Sequence, residues 1–268
     1  MRRILVTGAN KGIGLAIAEA ILGEHADTFV YLGARDAERG LAAARGLPQD
    51  RVKVVPLDVT HDASVSAALE QVEDLYGLVN NAGVGYGSSF DAVVRTNILG
   101  LQRVCAGFLP LLARGGRLVN VTSAAGPSYV ADCSTAHKEL LLDPEIEWSR
   151  LHAFVSERMQ NAPSSDGADA YGFSKACANA YTVLLAREHP ELQVNACTPG
   201  FIHTDLTHSF TAQKSADELG MKTPAEGARA PMHLLFDTLE GNGRYYGSDC
   251  KRSPLDRYRA PGSAEYTG

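Results

Sequence analysis

Two groups of residues in the sequence have the types and spacing to do chemistry. The first is Thr7-Gly8-Ala9-Asn10-Lys11-Gly12-Ile13-Gly14, directly after a short apolar run and before a stretch of helical periodicity. Glycine at positions 8, 12 and 14 lets the chain turn tightly and brings backbone against a pyrophosphate. The helix that follows adds unpaired N–H groups and a partial positive charge. The spacing is Gly-x-x-x-Gly-x-Gly, not the usual Gly-x-Gly-x-x-Gly fingerprint, and alone it also fits a purely structural turn. The second group is Tyr171 and Lys175, four residues apart, which a helix sets on one face as a phenol beside an ammonium. A phenol of pKa about 10 donates poorly when solvated, whereas a nearby ammonium stabilises its anion and lowers that pKa. By itself this pair also suits a solvated helix face.

The elements that must position these groups alternate along the chain. Val/Ile/Leu-rich runs at Ile4–Val6, Phe29–Leu32, Val52–Leu57, Leu78–Val79, Arg117–Val121 and Val194–Cys197 are separated by helical patterns, as at Ile13, Ile17, Ala20 and Ile21. A second helical pattern joins Val93, Ile98, Leu101, Val104, Phe108 and Leu112. Strands alternating with helices imply parallel β-α-β units, and runs apolar on both faces imply helices on both sides of the sheet. The fold class is α/β, an open, doubly wound parallel sheet. The 268 residues suit one domain spanning 1–268, and 45% hydrophobic with 21% charged residues is ordinary globular composition. A net charge of −6 supplies no basic field for nucleic acid. No run approaches the roughly 20 apolar residues of a membrane span. Ile4-Leu5-Val6 is too brief for a signal peptide, and the five cysteines include no Cys-x-x-Cys pair, so a cytosolic protein with reduced thiols is expected. His203 and His208 flank Asp205 without a convincing third ligand, so no metal site is predicted.

The glycine spacing is that of the short-chain dehydrogenase/reductase family, and further motifs follow in the family's order. Asn80-Asn81-Ala82-Gly83 follows the fourth strand, Asn97 lies in the next helix, Ser123 ends the fifth strand, Tyr171-Gly172-Phe173-Ser174-Lys175 opens a later helix, and Pro199-Gly200 follows the sixth strand. The chain thus resembles that family over most of its length, which implies a Rossmann-like fold and hydride transfer between a nicotinamide and a carbonyl. Such a transfer needs an acid near the carbonyl oxygen. By resemblance Tyr171 is that acid, Lys175 also holds the nicotinamide ribose, Ser123 hydrogen-bonds the substrate carbonyl, and Asn97 completes a proton path. The resemblance further implies that Gly8, Asn10, Lys11, Gly12, Ile13 and Gly14 line the cofactor, with Asp58 and Val59 flanking the adenine. Asn81, Ala82, Gly83, Pro199, Gly200, Ile202 and Thr204 line it too, Thr204 holding the carboxamide.

The end of the second strand bears on which dinucleotide is used. A carboxylate there suits the ribose 2′-hydroxyl of NAD, and cations suit the 2′-phosphate of NADP. Arg35 comes 21 residues after Gly14, Arg39 is one turn further on, and Lys11 can approach from the glycine loop, so NADPH is expected. Asp36 is read as a helix N-cap rather than a ribose ligand.

Ser123 and Tyr171 are 48 residues apart, far more than in typical members. A similar interval, with Asn10-Lys11-Gly12-Ile13-Gly14-Leu15-Ala16-Ile17 and Ala34-Arg35-Asp36, resembles the monomeric NADPH-dependent carbonyl reductases, which reduce aldehydes, ketones and quinones. The chain departs from them at Phe201, where they usually carry tryptophan, in a short loop after Gly83, and in the polar tail from Ser248, read here as an extended surface segment over about 248–268. The interval is read as an insertion over about 131–169. In it, Trp148, Leu151, Val155 and Met159 make an amphipathic helix of Glu145–Gln160, bounded by Pro144 and Pro163. Covering the face that relatives use for association, this helix would leave the protein a monomer. The expected partner is a small-molecule carbonyl substrate. The alternatives are NADP-dependent oxidation of a specific secondary alcohol, or a non-catalytic dinucleotide-binding regulator.

Overall fold

Alternate side chains of a strand point to opposite faces, so a strand buried on both sides reads as an unbroken apolar run. In β1 (Arg2–Thr7), Ile4 and Val6 enter one core with Ile17, Ile21 and Leu234, while Leu5 enters another with Leu78, Val104 and Leu118. Full burial of each such side chain stabilises the fold by about 1.5–3 kcal/mol. The computed structural model describes residues 1–161, 167–212 and 214–268. The other strands are β2 (Thr28–Ala34), β3 (Val52–Pro56), β4 (Leu75–Asn80), β5 (Leu112–Val121), β6 (Gln193–Cys197), β7 (Tyr245–Tyr246) and β8 (Arg252–Ser253). They form one sheet of order β3-β2-β1-β4-β5-β6-β7-β8, parallel throughout except between β7 and β8. The order reverses between β1 and β4, which opens a crevice at the carboxyl ends of these strands.

Helices α1 (Gly12–Glu24) and α2 (Ala37–Ala44) cover one face together with the later α10 (Pro224–Phe236). The opposite face carries α3 (Asp62–Leu69), α4 (Phe90–Val94), α5 (Leu101–Phe108) and the long α9 (Gly167–Glu188). A π-helical turn, Arg95–Gly100, joins α4 to α5 and contains Asn97. Leu112, expected on the helix, instead opens β5 and pairs with Leu75, because the helix stops at Phe108 and a short turn carrying Pro110 follows. Proline lacks the N–H that a continuing helix requires. No helix among the described residues is long and apolar enough to cross a membrane.

Between β5 and α9 the chain forms α6 (Ala125–Asp132), α7 (Thr135–Leu141) and α8 (Trp148–Gln160). The expected amphipathic helix is α8, starting three residues later than its pattern suggested because Glu147 is extended and stands at its N-cap. Leu151, Phe154 and Val155 are buried against α4 and α9, and the Trp148 ring lies 5.1 Å from that of Tyr181. Pro163, the expected far boundary, lies outside the described residues.

The tail joins the sheet edge and then runs over the surface. β8 pairs antiparallel with β7 through Tyr245 to Ser253 and Tyr246 to Arg252, and from Pro254 onward the chain is irregular and mostly exposed. Arg259 is anchored by an ion pair to Asp249 and by donating from Nε to Ser253 Oγ at 2.8 Å. The backbone N–H of Gly262 donates to the second Asp249 oxygen at 2.9 Å. Polar composition concealed the strand because these residues satisfy one another.

Candidate active site

The glycine loop is shaped by what it touches. Gly8 and Gly12 take φ of 64° and 55°, the left-handed region where side chains are strained. A Cβ on Gly14 would collide with Asn81 Nδ2 and the Gly8 carbonyl, so only glycine fits this place in the first turn of α1. Asn81 Nδ2 donates to the carbonyls of Thr7 and Gly8 at 2.9 and 3.2 Å, and the N–H groups of Asn81 and Ala82 each donate to Thr7 Oγ1 at 3.0 Å. Asn81 therefore buttresses the loop while also lining the cleft. No side chain caps the N-terminus of α1, leaving its first N–H groups for an anion.

A single cleft of about 570 Å³ runs from this loop in both directions. At its outer end are Arg35, Arg39, Asp58 and Val59. Both arginines are exposed. Asp36 is the N-cap of α2, as expected: its Oδ1 accepts from the Arg39 N–H at 3.1 Å, and Oδ2 lies 3.2 Å from Arg39 Nε. Burial works to raise the Asp58 carboxyl, but hydrogen bonds from Thr60, helped by His61 and Arg35, hold it below the usual range. Lys11 forms an ion pair with Asp205 across the cleft rather than facing Arg35 alone.

At the inner end Tyr171, Lys175 and Ser123 converge, with Gly83 beside them. Tyr171 is buried, and Ser123 lines the same end of the cleft beside it. Lys175 Nζ donates to the Val121 carbonyl at 3.0 Å and lies 5.6 Å from the centroid of the Tyr171 ring. The expected lowering of the phenol pKa is reversed. Burial pushes Tyr171 up to about 12 against the pull of Ser123, and burial pushes Lys175 down to about 8. Desolvation penalises both charged forms and is the largest cause of both shifts.

Asn97 stands apart from the cleft wall. Its Oδ1 accepts from the Val84 N–H at 2.9 Å, and its Nδ2 donates to the Val84 carbonyl at 2.9 Å and to Ser174 Oγ at 3.0 Å. It ties the loop after β4 to the helix bearing Tyr171. Beyond β6, Pro199, Gly200, Ile202 and Thr204 line the cleft, and a Cβ on Gly12 would meet the Thr204 methyl at 3.3 Å. Gly8, Asn10, Gly12, Ile13, Gly14, Ala82 and Gly83 line it as well. His203 and His208 are exposed.

Sequence reasoning missed Tyr86 and Leu206, which line the inner end. The Tyr86 ring lies 5.4 Å from that of Tyr171 and meets Phe210 edge-on at 4.6 Å. Gly85-Tyr86-Gly87, an aromatic between two glycines just after a strand, was the available signal.

The model of the family described as short chain dehydrogenase matches residues 2–135. Carbonyl reductase (NADPH) 3 of Rattus norvegicus is 31% identical over 272 residues, covering 91% of this chain and 95% of that protein. The chain belongs to the short chain dehydrogenase family. The (+)-neomenthol dehydrogenase of Arabidopsis thaliana is 29% identical over 283 residues, covering 88% of this short chain dehydrogenase and 91% of its relative. Among solved structures, salutaridine reductase from Papaver somniferum superposes with a TM-score of 0.77 at 26% identity, over 92% of this chain and 99% of that one. Membership makes the protein an oxidoreductase with a Rossmann-like fold.

Proposed function

We propose that the protein reduces ketones, aldehydes or quinones with NADPH, Tyr171 giving the proton. The observation that carries this reading is the cleft itself, with Tyr171, Ser123 and Lys175 at one end and Arg35 and Arg39 at the other. Between them the glycine loop fits a dinucleotide, because Gly8 and Gly14 let it pack tightly on Asn81 and Ala82 at the cleft wall and the α1 N-terminus is free to meet a pyrophosphate. Arg35, Arg39 and Lys11 would face the 2′-phosphate, while Asp36, occupied as a cap, leaves no free carboxylate for an NAD ribose. Asp58 and Val59 would flank the adenine, Asn81, Ala82, Gly83, Pro199, Gly200 and Ile202 the ribose and nicotinamide, and Thr204 its carboxamide.

A reduced nicotinamide held at the inner end of the cleft would supply a hydride to the carbonyl carbon. Ser123 Oγ donates a hydrogen bond to the carbonyl oxygen and, with Tyr171, orients it. As negative charge develops there, Tyr171 releases its proton to an alkoxide, a far stronger base than the phenolate left behind. A phenol held at about 12 keeps its proton until that base forms. Lys175 would steady the phenolate and hold the ribose hydroxyls, and Asn97 keeps the loop after β4 in place against α9. The presence of both Tyr171 and Lys175 in the cleft supports a catalyst over a regulator that only binds dinucleotide.

The reading extends to setting and assembly. Free cysteines at all five positions support a reducing, cytosolic setting. Packing of α8 on α4 and α9 covers the face that would pair two copies, which supports a monomer. The test is NADPH consumption against a panel of quinones, aromatic aldehydes, keto esters and steroids. Turnover with at least one class is expected. Consumption independent of any carbonyl compound, or none with the whole panel, counts against the reading.

A further inference from the structure

Two loops meet over the Tyr171 ring. The first, after β4, brings Gly85 so close that a Cβ there would stand 3.0 Å from Leu206 and 3.3 Å from Tyr171 Cδ2. Backbone is thus pressed against the phenol ring, and the next residue, Tyr86, lines the cleft with its ring 5.4 Å from that of Tyr171. Gly87, at φ 87°, turns the chain away directly afterwards. The second loop, after β6, supplies Phe210, met edge-on by Tyr86 at 82° between ring planes. Phe201 meets Phe210 in the same manner at 5.7 Å and 81°. Phe201 and Phe210 are 40% and 39% exposed, so the inner end of the cleft opens onto apolar aromatic surface left in water. Such surface beside a reacting group is covered at lowest cost by an apolar substrate.

The arrangement selects by shape as well as by polarity. Tyr86 and Tyr171 are tilted by 40° with centroids 5.4 Å apart, within the 4.5–7 Å over which aromatic rings attract through face and edge. A flat conjugated ring carrying the carbonyl can enter this set by replacing one ring-to-ring contact with another. A puckered saturated ring of the same carbon count is thicker and has no π face to offer. We propose that Tyr86, backed by Phe210, is the residue that sets substrate preference, favouring carbonyl groups attached to flat aromatic or conjugated rings over those on saturated rings. This inference rests on the carbonyl-reductase reading above and narrows it.

The experiment compares benzaldehyde with cyclohexanecarboxaldehyde, which share a carbon count and differ in flatness, as substrates with NADPH. The readout is the ratio of their kcat/KM values in the unaltered protein and in Tyr86→Phe, Tyr86→Ala and Phe210→Ala. Comparing ratios between variants cancels the difference in intrinsic reactivity of the two aldehydes. Tyr86→Phe keeps the ring and should keep the ratio. Tyr86→Ala should lower it about fivefold, through a raised KM for benzaldehyde, and Phe210→Ala should shift it the same way. If Tyr86→Ala lowers both kcat/KM values equally, or Tyr86→Phe behaves like Tyr86→Ala, the inference is overturned while carbonyl reduction stands. No turnover of either aldehyde by the unaltered protein, despite turnover of other carbonyl compounds, overturns it as well. No turnover of any carbonyl compound overturns the functional reading and this inference together.

Discussion

Lys175 lies one helical turn beyond Tyr171, yet its ammonium donates to the Val121 carbonyl at 3.0 Å instead of meeting the phenol. Its burial lowers it to about 8, so the cation is present below that pH and lost above it. The kcat/KM for NADPH reports groups of the free protein. It should therefore fall about tenfold per pH unit once pH exceeds about 8. A profile that stays flat to about pH 10, the ordinary lysine value, would remove Lys175 from cofactor binding.

Arg35 and Arg39 rim the outer end of the cleft, and Asp36 is occupied between α2 and Arg39. Reversing the charge in Arg35→Glu should weaken NADPH binding at least tenfold and leave NADH nearly unchanged, since charge-assisted contacts contribute about 1.5–3 kcal/mol. Fluorescence titration with both dinucleotides measures it. Equal affinities in the unaltered protein would return Asp36 to consideration as a ribose ligand.

The sheet was legible from the chain because each inner strand is an apolar run, with the glycine and serine motifs just after two of those strands and the tyrosine-lysine pair one turn apart on α9. What stayed hidden has physical reasons. β7 and β8 have two residues each, too short for any period to register, and β8 is held by Arg259 and Asp249 rather than by apolar side chains. The direction of the Tyr171 shift could not be read from a four-residue spacing, since burial by the whole fold decides it. Tyr86 and Phe210 are 124 positions apart in the sequence, and their loops meet because β4 and β6 run parallel on either side of β5.

The insertion helix α8 buries Leu151, Phe154 and Val155 against α4 and α9. A surface so covered cannot also serve a two-fold contact, which would need the same patch on both copies. Light scattering should give a mass near 28.6 kDa at every concentration. A stable dimer or tetramer would mean that association uses another face.

Arg259 and Asp249 form an ion pair with side chains only 7% and 19% exposed, joining the tail to the sheet edge. Arg259→Ala should destabilise the fold by about 1.5–3 kcal/mol through lost charged hydrogen bonds, read as a lower urea midpoint. Burial works to raise the Asp249 carboxyl, yet the net effect of Arg259 and Gly262 is to lower it. Its contribution is therefore present above the unfolded-state pKa and lost as pH falls through the lower folded value. An unchanged midpoint would show that the tail adds nothing to stability.

Tyr171 stands buried at the inner end of the cleft, which Ser123 and Lys175 line beside it. The most direct measurement is the rate of carbonyl-dependent NADPH consumption by Tyr171→Phe, with NADPH affinity measured on the same protein. General acids contribute about 100- to 10,000-fold, so the rate should fall by at least about 100-fold while affinity changes little. Near-normal turnover in this variant would contradict the assignment of Tyr171 as proton donor.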